Sequence, residues 1–326
     1  MIQVDLVTGL LGAGKTTFIK QYARYVMSTG KRVGILENDH GAINVDMLIL
    51  NELRGDNCEI EMVAGGCDPD CHKRRFKTKL ISMAMSGYDR IIIEPSGVFD
   101  VDEFFDTLRE EPLDNWYELG NVFCIVDANL PENLSDEEEF LLASQSACAG
   151  KLIFSHVIES EDNAEVGQVN QRYESVCDHI NISLLKILCK REFTLEDCMI
   201  KDLNMLSSED FESLLHASYH IHDYVKKYDL STIGFDTLYY LEEHLSGEQL
   251  TDIARTFLTD ETFGHVVRVK GYVSGDVSGS WIEVNAIQNQ VSIRECNVGQ
   301  EVLIIIGQSL DEEKIGAYVR GEGLRK

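Results

Sequence analysis

The segment GLLGAGKT at residues 9–16 constrains the fold of this chain more strongly than any other feature. It fills the pattern GxxxxGK(S/T), whose fixed positions here are Gly9, Gly14, Lys15 and Thr16. In such a loop the backbone N–H groups converge on phosphate, the lysine reaches the outer phosphates, and the hydroxyl binds Mg2+. Because the segment follows the apolar run IQVDLVT and opens a helical pattern, it predicts a phosphate-binding loop between a buried strand and a helix.

Short apolar runs alternate with helical patterns through the first half of the chain. The runs RVGILEND, RIIIEPSG, NVFCIVDAN and KLIFSHV lack the polar alternation of half-exposed strands. Continuous apolar runs are typical of parallel strands that are covered by helices on both faces. The order therefore predicts a doubly wound, mostly parallel α/β sheet of the P-loop NTPase class, with ligands at the carboxyl ends of its strands.

The second half changes character twice. We expect a nucleotide-binding domain over residues 1–190, a helical connector over 191–230, and a smaller α+β domain over 231–326. Within the connector, His216 and His220 have the i, i+4 spacing of one helix face. The third region carries the strand-like runs HVVRVKGYV, SWIEVNA, QVSIREC and EVLIIIGQ.

Composition narrows the classes of partner. No apolar run approaches the roughly 20 residues that span a bilayer, and MIQVDLVTG lacks the basic region of a cleaved signal. We therefore expect a cytoplasmic protein without a membrane partner. The net charge of -27 repels phosphate backbones, so nucleic acid is not an expected partner either.

The nine cysteines are too sparse for a disulfide framework in a chain of this length. We expect most of them, including Cys124, Cys177, Cys189 and Cys198, to be buried small apolar residues. Cys58 is expected in a polar loop.

Acidic residues follow two of the predicted strands. Glu94 closes RIIIE, where it is placed to bind the magnesium shell or to orient water, and Gly97 can give its N–H to a γ-phosphate. Asp39 and Asp46 lie in ENDHGAINVD, from which either side chain can reach the metal or the attacking water. A strand-end carboxylate without a catalytic role is the alternative for each.

Five motifs occur together in the order and spacing of one family: GLLGAGKTT, ENDHGAINVD, VAGGC, IIIEPSG and IVDAN. The chain resembles the CobW-type GTPases, a metallochaperone family, and its last region is similar to the CobW C-terminal domain. The resemblance implies that Asp46 is the switch aspartate and that Glu94 is the acidic residue of the second nucleotide motif. The expected catalytic residues are Lys15, Asp39, Asp46 and Glu94. The expected nucleotide contacts are Gly9, Gly12, Ala13, Gly14, Lys15, Thr16, Thr17, Gly97, Ser155 and His156.

One departure from the family concerns the metal motif. The family usually carries a CxCC cluster after the paired glycines, whereas this chain reads GGCDPDCHKRR. Cys67, Cys71 and His72 form a ligand set suited to Zn2+, with Co2+ or Ni2+ as alternatives and a fourth position left open. Pro69 between the cysteines favours a turn that brings the two sulfurs together. The alternative is a polar loop with two unrelated cysteines.

A second departure concerns the base. Ser155, His156 and Ile158 stand where the family carries the Asn, Lys and Asp of NKxD. The Ile158 side chain cannot accept the guanine N–H bonds that the aspartate accepts, so selectivity for GTP over ATP should fall.

Together these features predict a nucleotide-hydrolysing metallochaperone that delivers a transition metal to a client metalloprotein or a cofactor-assembly protein. A nucleotide-switched assembly factor without a metal site is the main alternative. A small-molecule kinase is a further alternative, which the family-like C-terminal region disfavours. The sequence leaves both a monomer and a nucleotide-driven homodimer open.

Overall fold

The structure, a computed structural model, describes residues 1–39, 50–64, 69–95, 101–157, 163–226, 235–275, 280–288, 290–296 and 300–322. All structural statements below concern these residues. The chain divides into two compact units, Met1–Thr232 and Ile233–Lys326.

The first unit is built on a seven-stranded sheet in which every neighbouring pair is parallel. Its strands are β1 (Ile2–Thr8), β2 (Val33–Asp39), β3 (Cys58–Ala64), β4 (Arg90–Pro95), β5 (Tyr117–Asp127), β6 (Lys151–Ser155) and β7 (Cys198–Ile200). They lie in the order β3-β2-β4-β1-β5-β6-β7. The prediction of a doubly wound parallel sheet is confirmed. Since the strands are parallel, the segments that follow them leave from one edge of the sheet.

Helices follow most of these strands. They are α1 (Lys15–Ser28), α2 (Pro69–Ala84), α3 (Val101–Leu108), α4 (Asp136–Ser146), α5 (Asn163–Lys186) and α6 (Ser208–Leu214). In α1 the apolar residues Phe18, Ile19, Tyr22, Ala23 and Val26 recur at helical spacing, and all are fully buried. This stripe places α1 against the sheet, with its amino terminus at the edge where β1 ends.

A buried network of polar groups surrounds Asp5 in the middle of β1. Arg90 Nη1 donates to Asp5 Oδ2 at 2.6 Å, and the Tyr22 hydroxyl donates to the same oxygen at 2.7 Å. Asn121 donates its backbone N–H to Asp5 Oδ1 at 2.9 Å. Burial raises the pKa of Asp5, while the charge of Arg90 and these hydrogen bonds act to lower it. The network joins β1, β4, β5 and α1 in one arrangement.

A helical connector is predicted over 191–230, and the described part of this range, residues 191–226, differs from it. They contribute β7 to the parallel sheet, and Leu203, Phe211 and Leu214 belong to the core that includes α1. This segment therefore packs within the first unit. The short helix α6 ends at Leu214, so His216 and His220 do not share a helix face.

Cys58 also differs from its prediction, because it begins β3 and is only 1% exposed. Burial raises its pKa to about 11. It is a core thiol and not a loop residue.

The second unit has an antiparallel five-stranded sheet in the order β11-β10-β9-β12-β8. Its elements are β8 (Phe235–Leu241), α7 (Gly247–Thr259), β9 (His265–Ser274), β10 (Trp281–Ile287), β11 (Gln290–Cys296), β12 (Val302–Gln308) and α8 (Glu312–Val319). One face of the sheet packs on α7, with Leu250, Ile253 and Phe257 in a common core with Val269 and Ile305. The smaller α+β architecture is confirmed. Within the described part of both units, no helix combines the length and apolarity that a membrane span requires.

Candidate functional site

The loop between β1 and α1 has the backbone that phosphate binding demands. Gly9, Gly12 and Gly14 have φ of 138°, 80° and 97°. This region favours glycine, because in other residues the Cβ would clash with the backbone. At Gly9 the space is also closed, since a Cβ would lie 2.3 Å from the Ile125 carbonyl oxygen on β5. Ala13 is buried, and Thr17 is partly buried on the first turn of α1. Gly14 directly precedes α1, so the N–H groups of the first helical turn converge on this loop.

Lys15 provides the positive charge of the loop. Its side chain is buried, and Nζ donates to the Gly9 carbonyl at 3.0 Å and to the Leu10 carbonyl at 3.3 Å. The ammonium group therefore spans the loop, where an outer phosphate would lie within its reach.

Gln145 holds the start of the loop in place through two hydrogen bonds. Its Oε1 accepts the Gly9 backbone N–H at 3.2 Å, and its carbonyl accepts the Thr8 hydroxyl at 2.8 Å. The side chain is 1% exposed at the end of α4. No pattern in the sequence indicated this positioning role.

Thr16 and Glu94 form the oxygen-rich part of the site. The Thr16 hydroxyl lies 3.2 Å from Glu94 Oε1 and 3.1 Å from Oε2, and both side chains are buried. The contact joins the first turn of α1 to the end of β4. Hydroxyl and carboxylate oxygens are the donors that Mg2+ prefers, so this pair fits that ion.

A second buried carboxylate lies beside Glu94. Glu37 on β2 is the register partner of Glu94 on β4 and is 3% exposed. The sequence reasoning missed Glu37, although its place two residues before the end of a strand was a usable signal. Asp39 ends β2, but its side chain is outside the described residues, as are Asp46 and Gly97 entirely.

The ends of β5 and β6 form a polar pair next to the phosphate loop. His156 Nδ1 donates to Asp127 Oδ2 at 2.9 Å, and Asn129 donates its backbone N–H to Asp127 Oδ1 at 2.8 Å. Ser155 is 1% exposed, and its Cβ is 3.4 Å from the position that a Cβ on Gly14 would take. The structure thus brings Ser155 to the phosphate loop and reveals Asp127, which was not predicted, as the residue that orients the imidazole. Ile158 lies outside the described residues.

The structure describes only part of the segment that carries the predicted metal ligands. Cys67 lies outside the described residues, while Cys71 and His72 lie in the first turn of α2, whose side chains there are not described. The expected turn around Pro69 is instead the start of this helix, a position that suits proline because its missing N–H needs no partner there. Among the described residues no cluster of three or more His, Cys, Asp or Glu side chains is arranged to hold a metal ion.

Comparisons with known proteins agree with the motifs. The nucleotide-binding domain of the CobW/HypB/UreG family matches residues 3–183. The chain is 27% identical over 139 residues to the zinc chaperone YeiR of Escherichia coli, a match that covers 42% of this chain and 40% of that protein. It is 30% identical over 137 residues to the zinc chaperone YjiA of the same organism, covering 39% of this chain and 41% of YjiA.

These matches therefore span about 40% of the length of each of the two curated relatives. A solved structure, the Zn(II)-bound YjiA GTPase from E. coli, is 18% identical with a TM-score of 0.34, covering 100% of this chain and 99% of that chain.

Proposed function

Because this chain belongs to the CobW/HypB/UreG family of nucleotide-binding domains, we propose that it is a GTP-hydrolysing metallochaperone that carries a transition metal under nucleotide control. The observation that carries this proposal is the phosphate loop with its buried Thr16 and Glu94 pair, which joins α1 to β4. The metal would pass to a client metalloprotein or to a cofactor-assembly protein.

The nucleotide half of the proposal rests on four groups. Backbone N–H groups of the loop cradle the phosphates, and Lys15 neutralises their outer charge. Thr16 and Glu94 would hold Mg2+, which supplies further charge neutralisation at the phosphates. Asp39 at the end of β2 and Asp46 are the candidates for orienting the attacking water.

The residues at the base-recognition position favour weak selectivity for guanine. Ser155 lies against the phosphate loop and His156 is oriented by Asp127, but neither side chain carries the carboxylate that reads guanine N–H groups. We therefore propose GTP as the nucleotide, with weak discrimination against ATP.

The cargo is proposed to be zinc, since YeiR and YjiA are both named zinc chaperones. Its ligands would be Cys67, Cys71 and His72, two thiolates and an imidazole that suit Zn2+. The segment that carries them follows β3, whose last residue Ala64 is the register partner of Asp39 on β2.

The sheet order gives a physical basis for coupling the cargo to the nucleotide. The strands β3, β2, β4 and β1 are consecutive neighbours. At about 4.8 Å per strand, the end of β3 lies about 14 Å from the phosphate loop. The end of β2 lies between them, so a change at the phosphates that moves this end would reach the metal-binding segment.

Hydrolysis of GTP and of ATP in the presence of Mg2+ tests the nucleotide half. Lys15→Ala and Glu94→Gln should each lower kcat/KM by about 100-fold or more, the scale for removing a group that stabilises charge in the transition state. Lys20→Ala is the matched control, because Lys20 lies on the same helix and pairs with exposed Glu52. Wild-type turnover in Lys15→Ala would overturn the nucleotide half.

Zinc dependence of the same activity separates the two function classes. A metallochaperone should bind GTP with a different affinity when one zinc ion is bound, because the coupling between two binding sites is reciprocal. Normal GTP turnover in a protein that binds no zinc would favour the alternative, a nucleotide-switched assembly factor.

A further inference from the structure

Two cysteines of the first unit lie sulfur to sulfur, away from the predicted zinc ligands in the sequence. Cys177 is on α5 and Cys198 begins β7, and their Sγ atoms are 3.5 Å apart. Cys177 is 3% exposed, whereas Cys198 is partly exposed. The pair therefore touches solvent on one side only, which a small reactant can reach.

The pair differs chemically from the other core thiols. The hydrogen bond between the sulfurs lowers the pKa of Cys177 and raises that of Cys198. Burial instead raises the pKa of Cys58 to about 11 and that of Cys124 to about 12. The thiolate is the nucleophilic form of cysteine, so the lowered pKa favours Cys177 as the attacking thiol.

We propose that Cys177 and Cys198 form an oxidisable dithiol, a modification site that reacts with hydrogen peroxide and closes into an intramolecular disulfide. In the first step one thiolate sulfur attacks a peroxide oxygen, the O–O bond breaks, and hydroxide leaves to be protonated as water. In the second step the other thiol attacks the sulfenic sulfur, the S–S bond forms, the S–O bond breaks, and a second water leaves. Two protein thiols are oxidised by two electrons, and one hydrogen peroxide molecule is reduced.

The geometry makes this closure accessible. The sulfurs must approach by about 1.5 Å to reach the disulfide bond length of about 2.05 Å. Cys198 lies on β7, a three-residue strand at the edge of the sheet that pairs with β6. A short edge strand can shift at lower cost than a central one, because fewer ladder bonds hold it.

The place of β7 connects this modification to the phosphate loop. Leu203 follows β7 and is buried in the same core as α1. Its Cδ1 lies 3.6 Å from the position that a Cβ on Gly14 would take. A disulfide that moves β7 toward α5 therefore acts on a segment packed against the phosphate loop. This consequence, unlike the disulfide itself, rests on the proposed nucleotide binding.

Peptide mapping tests the disulfide directly. The reduced protein is treated with hydrogen peroxide, its remaining thiols are alkylated, and it is digested with trypsin without reduction. Cleavage places Cys177 alone in Tyr173–Lys186, Cys198 alone in Glu192–Lys201, and Cys189 in Ile187–Lys190. We expect the first two peptides joined, with a mass two hydrogens below their sum. Alkylated, unlinked peptides, or linkage to Cys189, would overturn the proposal.

Matched serine variants complete the test. Cys177→Ser and Cys198→Ser should each abolish the linked peptide, and Cys189→Ser, a change at a buried cysteine between them in the sequence, should keep the link. Nucleotide affinity of the oxidised wild type should change by about fivefold or more, the lower end of typical coupling between sites, and dithiothreitol should reverse it. Unchanged affinity in fully linked protein would overturn the coupling to the phosphate loop. Absence of nucleotide binding in both forms would count against the proposed function and leave the peptide result standing.

Discussion

Replacing Gly9 by alanine tests whether the phosphate loop is held by steric contact with the sheet. Gly9 and Gly30 both have positive φ, 138° and 83°, so alanine at either site incurs backbone strain of about 1–3 kcal/mol. Only at Gly9 does the new Cβ meet backbone, at 2.3 Å from the Ile125 carbonyl oxygen and 3.2 Å from its carbonyl carbon. At Gly30 no atom lies within 4 Å of the new Cβ.

The difference between the two variants isolates the contact. Ile125 lies in β5, which pairs with both β1 and β6 and therefore cannot withdraw easily. Overpacking of this kind costs about 1–3 kcal/mol, which adds to the strain at Gly9 alone. We expect Gly9→Ala to lower the free energy of unfolding by about 1–3 kcal/mol more than Gly30→Ala. Gly9→Ala should also weaken nucleotide binding, because the loop must shift to relieve the clash.

Urea unfolding in a Trp281→Phe background measures this, since Trp116 in the first unit is then the remaining tryptophan. Binding of a fluorescent GTP analogue is measured on the same proteins, and Gly30→Ala should bind it as the wild type does. Equal destabilisation by the two variants, or wild-type nucleotide affinity in Gly9→Ala, would show that contact with Ile125 does not hold the phosphate loop.

Three further predictions follow from the first unit. Asp5→Asn leaves Arg90 buried without its carboxylate, so unfolding free energy should fall by about 3–5 kcal/mol in urea titrations; a loss below 1 kcal/mol, typical of exposed pairs, would contradict the network. Burial raises the pKa of Glu139, but its hydrogen bonds lower the pKa by more than burial raises it, so the net shift is downward. The stability that this shift gives is present above the unfolded pKa of about 4.3 and is lost as pH falls through the lower folded pKa. The difference in unfolding free energy between wild type and Glu139→Gln should therefore shrink as the pH is lowered. A difference that stays constant with pH would contradict this. Gln145→Leu removes the acceptor of the Gly9 N–H and should weaken GTP binding by about 10-fold, by the value of one buried hydrogen bond, which fluorescence titration would detect; unchanged affinity would exclude this positioning role.

Much of the first unit was predictable because its signals are local. The phosphate loop and the apolar strands each lie in consecutive residues. The capping box of Ser135 and Glu138 at the start of α4 is equally local. The family resemblance, drawn from the order of five motifs, is confirmed by the family match over residues 3–183. The proposed roles of Lys15 and Glu94 stay predictions.

The features that escaped prediction depend on contacts between distant residues. β7 is three residues long, too short to show a period, and only its pairing with β6 defines it. The contact of Cys177 with Cys198 joins a helix to this strand, so the sequence indicated only two buried cysteines. In the sequence Asp127 is only the last residue of a predicted strand, and its hydrogen bond with His156 is what indicates a role.

Zinc titration of the reduced protein by calorimetry, with Mg2+ and either GDP or a non-hydrolysable GTP analogue, measures whether the nucleotide controls metal binding. We expect about one zinc ion per chain, lost in Cys67→Ser and Cys71→Ser, kept in Cys189→Ser, and bound with different affinity in the two nucleotide states. Zinc binding that is absent, that survives both substitutions, or that is identical with GDP and the GTP analogue would contradict nucleotide-controlled metal transfer.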